Sequence, residues 1–222
     1  MILKTYPDRA ALMAGLSALM AQELAAALRH GPATLSVPGG TTPGPVFDAL
    51  SNADLDWARV FVLLNDERWV GEDSPRSNTR LLRDRLLRAK AAAATLLPLY
   101  ASAPQPEDAL DRLAQGIAPY LPITVLLLGM GRDMHTASLF PGADHLIQAL
   151  SPDAPVVMAL RADAAGEPRI TLSARVLQAA KHIHVLITGP EKRQALERAF
   201  TLPPELAPIR TVLAQATVHW AE

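Results

Sequence analysis

A chain of 222 residues, half of them hydrophobic, can bury one large core and suits one domain or a small pair of domains. Its net charge of -1 gives no bulk basicity for nucleic acid and no acidic tail. With no cysteine, disulfides, thiolate nucleophiles and cysteine metal sites are excluded, and a reducing compartment is compatible.

Asp8 and Arg9 interrupt the start, and Glu23 sits inside the Ala/Leu-rich stretch that follows. That is neither a secretory signal nor a run of about 18 uncharged apolar residues, so a cytoplasmic protein with no membrane partner is expected. Leu12, Leu16, Leu19, Leu24 and Leu28 fall at helical spacing from about Asp8 to Arg29, and His30-Gly31-Pro32 ends the helix. Thr34 to Val37 reads as a strand, followed by the turn Pro38-Gly39-Gly40-Thr41-Thr42-Pro43. Thr42 is placed to cap the next helix, with Pro43 at its first position and an end near Leu50.

Val60 to Leu64 is continuously apolar, as in a strand buried on both faces, and runs into Asn65-Asp66-Glu67-Arg68. A helix is expected from about Asn78 to Ala94. Within it Arg80, Arg83, Arg85, Arg88 and Lys90 form a solvated face, opposite Leu81, Leu82, Leu86 and Leu87. A strand at Leu96–Tyr100, a helix at Asp108–Tyr120 and a strand at Thr124–Leu128 follow, the last ending in Gly129-Met130-Gly131. Beyond these, Val156–Leu160 reads as strand, Ser173–Ala180 as helix, His182–Ile187 as strand and Glu191–Phe200 as helix. Val212-Leu213 and Val218–Trp220 read as short final strands. Repeated strand, turn and helix imply crossover connections and a largely parallel sheet between helix layers, in one domain spanning 1–222.

In open parallel sheets ligands bind beyond the carboxyl ends of the strands. Four unusual segments follow strands: Pro38–Pro43, Asn65–Arg68, Gly129–Thr136 and Thr188–Lys192. They therefore converge on one edge and can build one pocket. The Gly39-Gly40 turn, leading into a helix N-terminus with Thr41 and Thr42 beside it, suits an anion, or else is only a tight turn. It lacks the Lys-Ser/Thr ending of a nucleotide-phosphate loop and the third glycine of a dinucleotide fingerprint. Asp133 and His135 can form an oriented proton-transfer pair, or a capping Asp beside a partly buried His. Arg68, Arg169 and Lys192 are either ligand cations or members of surface charge networks. His182 and His184 share a strand face as metal ligands can, but no third ligand stands near them in sequence. Trp57, Trp69 and Trp220 are scattered and give no base-stacking pattern.

The run Gly129-Met130-Gly131-Arg132-Asp133-Met134-His135-Thr136-Ala137-Ser138-Leu139-Phe140-Pro141-Gly142 resembles the signature of the 6-phosphogluconolactonase family. Pro38–Pro43, Asn65–Val70 with Ser77-Asn78, Pro168–Leu172 and Gly189–Lys192 resemble its other motifs, in the same order. The resemblance implies a modified Rossmann-like (NagB-like) three-layer α/β/α fold shared with glucosamine-6-phosphate deaminases. It implies hydrolysis of a sugar-phosphate lactone without cofactor or metal, with a small sugar phosphate as the partner rather than nucleic acid; a monomer is favoured.

It further implies that His135 is the base and that Asp133 orients it. Gly39, Gly40, Thr41, Thr42, Asn78 and Gly131 would hold substrate, and Arg68, Arg169 and Lys192 would face its phosphate. Related deaminases carry a glutamate shortly after the shared histidine, which is absent here. The family has Gly where this chain has Met134 and Pro where it has Arg132; a positive φ at 134 would strain a methionine by about 1 kcal/mol.

Overall fold

A computed structural model describes residues Met1–Glu222, the side chain of Ala164 excepted. In chain order the elements are β1 (Ile2–Thr5), α1 (Arg9–Leu28), β2 (Ala33–Val37), α2 (Gly44–Ser51), β3 (Val60–Leu64), β4 (Asp66–Arg68), α3 (Asn78–Arg85), β5 (Thr95–Leu97) and α4 (Leu110–Ile117). Then come β6 (Val125–Gly129), α5 (Leu146–Leu150), β7 (Val157–Leu160), β8 (Arg169–Leu172), α6 (Ala174–Gln178), β9 (His182–Thr188), α7 (Pro190–Ala199), α8 (Arg210–Leu213) and β10 (Thr217–Ala221).

Seven strands form one sheet in the order β1-β10-β9-β6-β2-β3-β5, every pair parallel. Parallel pairing demands crossovers, which the helices between the strands supply. The central strands β2, β3, β6 and β9 are mostly Ala, Val, Leu and Ile and, apart from their ends, almost entirely buried on both faces. The buried apolar residues form a single cluster that takes in both sheets.

α1 has the length and apolar content of a membrane span, yet it packs as a core helix. Asp8 caps it, its carboxylate accepting from the Ala11 amide at 2.7 Å. Leu12, Leu16, Met20, Leu24 and Leu28, four residues apart, bury one stripe; Met20 holds the position that Leu19, only half-buried, was expected to take.

Four expectations need correcting. Thr42 does not cap α2: Pro43 occupies the cap with no side-chain bond, and the Gly44 amide turns back to the Thr41 carbonyl at 3.2 Å. The helix at Asn78 stops at Arg85, where the Leu86 and Leu87 amides both turn to the Leu82 carbonyl, and after a positive φ of 49° at Ala89 the segment Ala89–Ala93 is a 3-10 turn. The basic face is solvated as expected, with Arg80, Arg83, Arg88 and Lys90 exposed, and it is laced by ion pairs: Arg85 and Arg88 share Asp48, and Arg83 meets Glu72. Val212-Leu213 is helical, within α8, held by local turns such as Val212 N–H to the Ile209 carbonyl.

The fourth concerns β7 and β8. They leave the parallel sheet and join β4 in a three-stranded antiparallel sheet, Arg68 lying opposite Arg169. Asn65 makes this branch. Its Oδ1 accepts from Ser36 Oγ at 2.6 Å, its Nδ2 donates to the Leu127 carbonyl at 2.7 Å, and its own carbonyl takes the Leu172 amide. One buried amide thus ties β2, β3 and β6 together where the second sheet begins.

His182 and His184 turn to Glu23 of α1, at 3.3 and 2.7 Å, so the carboxylate that sequence proximity did not reveal comes from across the fold. His184 Nδ1 continues to His219 Nε2 at 3.1 Å, and His219 Nδ1 to the Tyr6 hydroxyl at 2.8 Å. With Glu23 ionised the chain has one consistent polarity: Tyr6 O–H donates to His219, His219 to His184, and His184 to Glu23.

Candidate active site

Because β2, β3, β6 and β9 are parallel, their C-terminal ends share one edge, and the loops leaving them face each other. They enclose an open cavity of about 360 Å³. β2 contributes Gly39, Gly40 and Thr42; the segment after β3 contributes Asp66, Arg68 and Asn78. Gly131, His135 and Phe140 follow β6, Lys192 follows β9, and Arg169 reaches in from β8. Of the residues singled out from the sequence, only Thr41 and Asp133 lie off this wall. Thr41 lines an adjoining hollow with Arg9, Met13 and Thr188. Asp133 stands behind His135.

His135 Nδ1 lies 2.6 Å from Asp133 Oδ1, and the His135 amide also points at that oxygen, at 3.3 Å. Burial would raise the Asp133 carboxyl, but the hydrogen bond and charge of His135 outweigh it and hold the carboxyl below its usual value. An ionised Asp133 accepts the Nδ1 proton, so Nε2 is the nitrogen left with a lone pair; among the described residues it has no protein partner. The Phe140 ring packs on the imidazole, centroids 4.2 Å apart.

The tight approach depends on Gly131. A Cβ there would meet Asp133 Oδ1 and His135 Nδ1, each at 2.2 Å. The loop closes on itself through Gly131 N–H to the His135 carbonyl and Met134 N–H to the Gly131 carbonyl. Met134 does have positive φ, at 67°, and its buried side chain joins the core cluster rather than the cavity. Its carbonyl accepts from the Ile209 amide at 3.0 Å, which fixes the strained residue to the segment before α8.

Arg68 and Arg169 are register partners on β4 and β8, so two like charges sit side by side. Arg68 Nη1 donates to the Arg76 carbonyl at 2.5 Å, and Arg169 Nη2 to the Ala165 carbonyl at 2.7 Å. The Nε of each is buried without an acceptor. Burial, then the Arg68 charge, lowers the Arg169 guanidinium from its usual value. Burial, then Arg132, lowers Lys192. Among the described residues none of these three cations makes an ion pair, whereas Arg76, Arg83, Arg85 and Arg161 all do. Adjacent unpaired cations on a concave wall are arranged for a multiply charged anion.

Glu67 supports this wall from behind and was missed in the sequence. Fully buried, its Oε1 accepts from the amides of Arg68 and Asn78, and its Oε2 from Ser77 Oγ and from the amide and hydroxyl of Thr79. The carboxylate occupies the N-terminus of α3, where the helix dipole favours it. Asn78 is thereby placed so close to Gly39 that a Cβ on that glycine would touch its amide oxygen at 2.0 Å. Phe140 and Asp66 were also missed as cavity residues. The signal for Asp66 was available: two residues before Arg68 on one strand, it must share a face with Arg68.

The family described as "Glucosamine-6-phosphate isomerases/6-phosphogluconolactonase" matches residues 7–220. A 6-phosphogluconolactonase of Rhizobium meliloti is 40% identical, over 97% of this chain and 97% of its own. A crystal structure of a 6-phosphogluconolactonase from Shewanella baltica superposes with a TM-score of 0.96 at 34% identity, covering 100% of this chain and 98% of that one. A monomeric glucosamine-6-phosphate deaminase superposes with a TM-score of 0.81 at 18% identity, over 99% of this chain and 97% of its own, a likeness of fold alone.

Proposed function

The chain belongs to the glucosamine-6-phosphate isomerase/6-phosphogluconolactonase family, and we propose that it hydrolyses 6-phospho-D-glucono-1,5-lactone to 6-phosphogluconate, the lactone-opening step of the pentose phosphate pathway. The observation that carries this reading is one cavity with a proton-accepting His135–Asp133 pair and three unpaired cations, Arg68, Arg169 and Lys192. A phosphorylated lactone needs both: a base for water and positive charge for the phosphate.

His135 Nε2 takes a proton from water as the water oxygen attacks C1 of the lactone. Asp133 keeps the ring in the required tautomer and stabilises the imidazolium that forms. The C1 carbonyl becomes a tetrahedral oxyanion, which a cation or the amides of the Gly39-Gly40 loop stabilise. Collapse of that intermediate breaks the bond between C1 and the ring oxygen, and the imidazolium returns the proton to the leaving alkoxide. The product acid then ionises. Water is the only co-reactant, and with His135 as its base these steps call on no cofactor or metal. Residues 1–222 act as one domain, cytoplasmic like the phosphorylated metabolite. Deamination of an amino-sugar phosphate is disfavoured because Thr136 to Gly142, after the histidine, contain no glutamate.

The test is lactone hydrolysis by the purified protein, with lactone generated in situ, spontaneous opening subtracted and His135→Ala run beside it. Acceleration lost in the variant supports the reaction and the base; acceleration retained by it removes His135 from that role. Replacing Arg68, Arg169 and Lys192 singly by Ala is expected to raise KM more than it lowers kcat wherever the contact is to phosphate. An unchanged KM in all three removes the phosphate clamp.

A further inference from the structure

The mechanism above leaves one acidic cavity residue without a part. Asp66 opens β4, is only 8% exposed and lines the cavity with Arg68 and Arg169. Its Oδ2 accepts from Ser138 Oγ at 2.6 Å. Among the described residues its Oδ1 accepts no hydrogen bond, and Asp66 makes no ion pair, so neither arginine neutralises it directly. The Ser138 amide is in turn held by Thr171 Oγ1 at 3.2 Å, and Thr171 is the register partner of Asp66 on β8. The carboxylate is therefore held through Oδ2, by a serine that is itself anchored, and is open at Oδ1. A carboxylate oxygen in that state needs a donor, which water supplies in the free site and a ligand group can supply in the occupied one.

Its position says which donor. Asp66 is held by Ser138, three residues beyond His135, and stands two residues before Arg68 on the same strand face, so it lines the same cavity wall as the histidine and the cation pair. A phosphate is repelled from it, and the attacking water belongs to His135. Between C1 and C6 of a sugar lactone there remain hydroxyl groups, which donate. We propose that Asp66 determines specificity by accepting a hydrogen bond from a ring hydroxyl of the lactone, with Ser138 as the positioning residue that aims it. This rests on the lactonase reading and deepens it.

The experiment compares kcat/KM for the 6-phospholactone and its 2-, 3- and 4-deoxy analogues, followed by proton release, in the wild type, Asp66→Ala, Asp66→Asn and Ser138→Ala. A site built around a substrate hydroxyl leaves a desolvated acceptor unpaired when that hydroxyl is missing. The wild type is therefore expected to disfavour at least one deoxy lactone by about 10- to 100-fold. Asp66→Ala is expected to treat the parent and that deoxy lactone alike, and Ser138→Ala to lose part of the preference.

A wild type that accepts all the deoxy lactones equally overturns the proposal. So does an Asp66 variant that keeps the preference, or one that loses kcat on every lactone by the same factor, which would make Asp66 part of the chemistry or of the scaffold. If Asp66→Ala does not fold, Asp66→Asn and the wild-type series still decide. A wild type that opens no lactone removes the lactonase reading and this proposal together, an outcome distinct from indifference to the missing hydroxyl.

Discussion

A Cβ on Gly131 would sit 2.2 Å from both Asp133 Oδ1 and His135 Nδ1, and these are the ends of one short hydrogen bond rather than flexible tips in solvent. Gly131→Ala is therefore expected to keep the fold while lowering kcat by about 100-fold or more, as loss of an oriented base does; circular dichroism and lactone turnover check both halves. Met134 poses the opposite balance. Its φ of 67° costs about 1 kcal/mol, but the residue is only 8% exposed, and burying its side chain is worth roughly 1.5–3 kcal/mol. Burial wins. Met134→Gly should relieve strain yet lower stability by about 1 kcal/mol in a urea melt, with kcat within a few-fold. A variant more stable than the wild type would show the strain to be larger than argued.

At the scale of elements, one buried carboxylate organises the start of α3. Glu67 collects three amides and two hydroxyls, and through them fixes the backbone of Arg68 and the placement of Asn78. Glu67→Gln replaces an acceptor oxygen with an amide that must face donors already aimed at it. Hydrogen bonds to a buried charge are worth about 1.5–3 kcal/mol each, and stranded donors add to the loss. The expected loss is about 3 kcal/mol or more in denaturant, together with a raised KM because Arg68 shifts. A loss below 1 kcal/mol would show that the α3 N-terminus holds without it. The second sheet belongs to this scale too. β7 reads as a strand from sequence and β8 does not, because the antiparallel pairing of β8 with the three residues after Asn65 joins segments more than 100 residues apart, which no local pattern encodes.

For the whole molecule, acid stability turns on the Tyr6–His219–His184–Glu23 chain between α1, β9 and β10. Burial first, then the charges of His184 and Lys4, push His219 from the ordinary 6.5 down to about 3. Above pH 6.5 neither folded nor unfolded chain carries a proton there, and nothing is lost. Below it the unfolded chain binds a proton that the folded one refuses. Stability therefore falls as pH drops from 6.5 toward 3, by at most about 1.4 kcal/mol per pH unit for this one group. His219→Gln removes the titration, so its urea midpoint should change less between pH 7 and pH 5 than the wild type's. An equal change in both would show that other groups carry the acid sensitivity.

The sequence by itself determined the alternation of strand and helix, the parallel sheet, and the four loops from which the cavity is built. Each rests on a short-range rule: runs of apolar residues, glycine turns, and the direction that successive parallel strands must share. It also marked Asp133, His135 and the strain at Met134 through a resemblance carried by contiguous residues. Tertiary structure alone decided the rest. It placed Arg169 against Arg68, set Glu67 behind them, held Asp66 through Ser138, and gave His182 and His184 a carboxylate from α1. These are side-chain pairings between distant segments. They are fixed by which buried polar groups find partners once the layers have packed, and that accounting exists only in three dimensions.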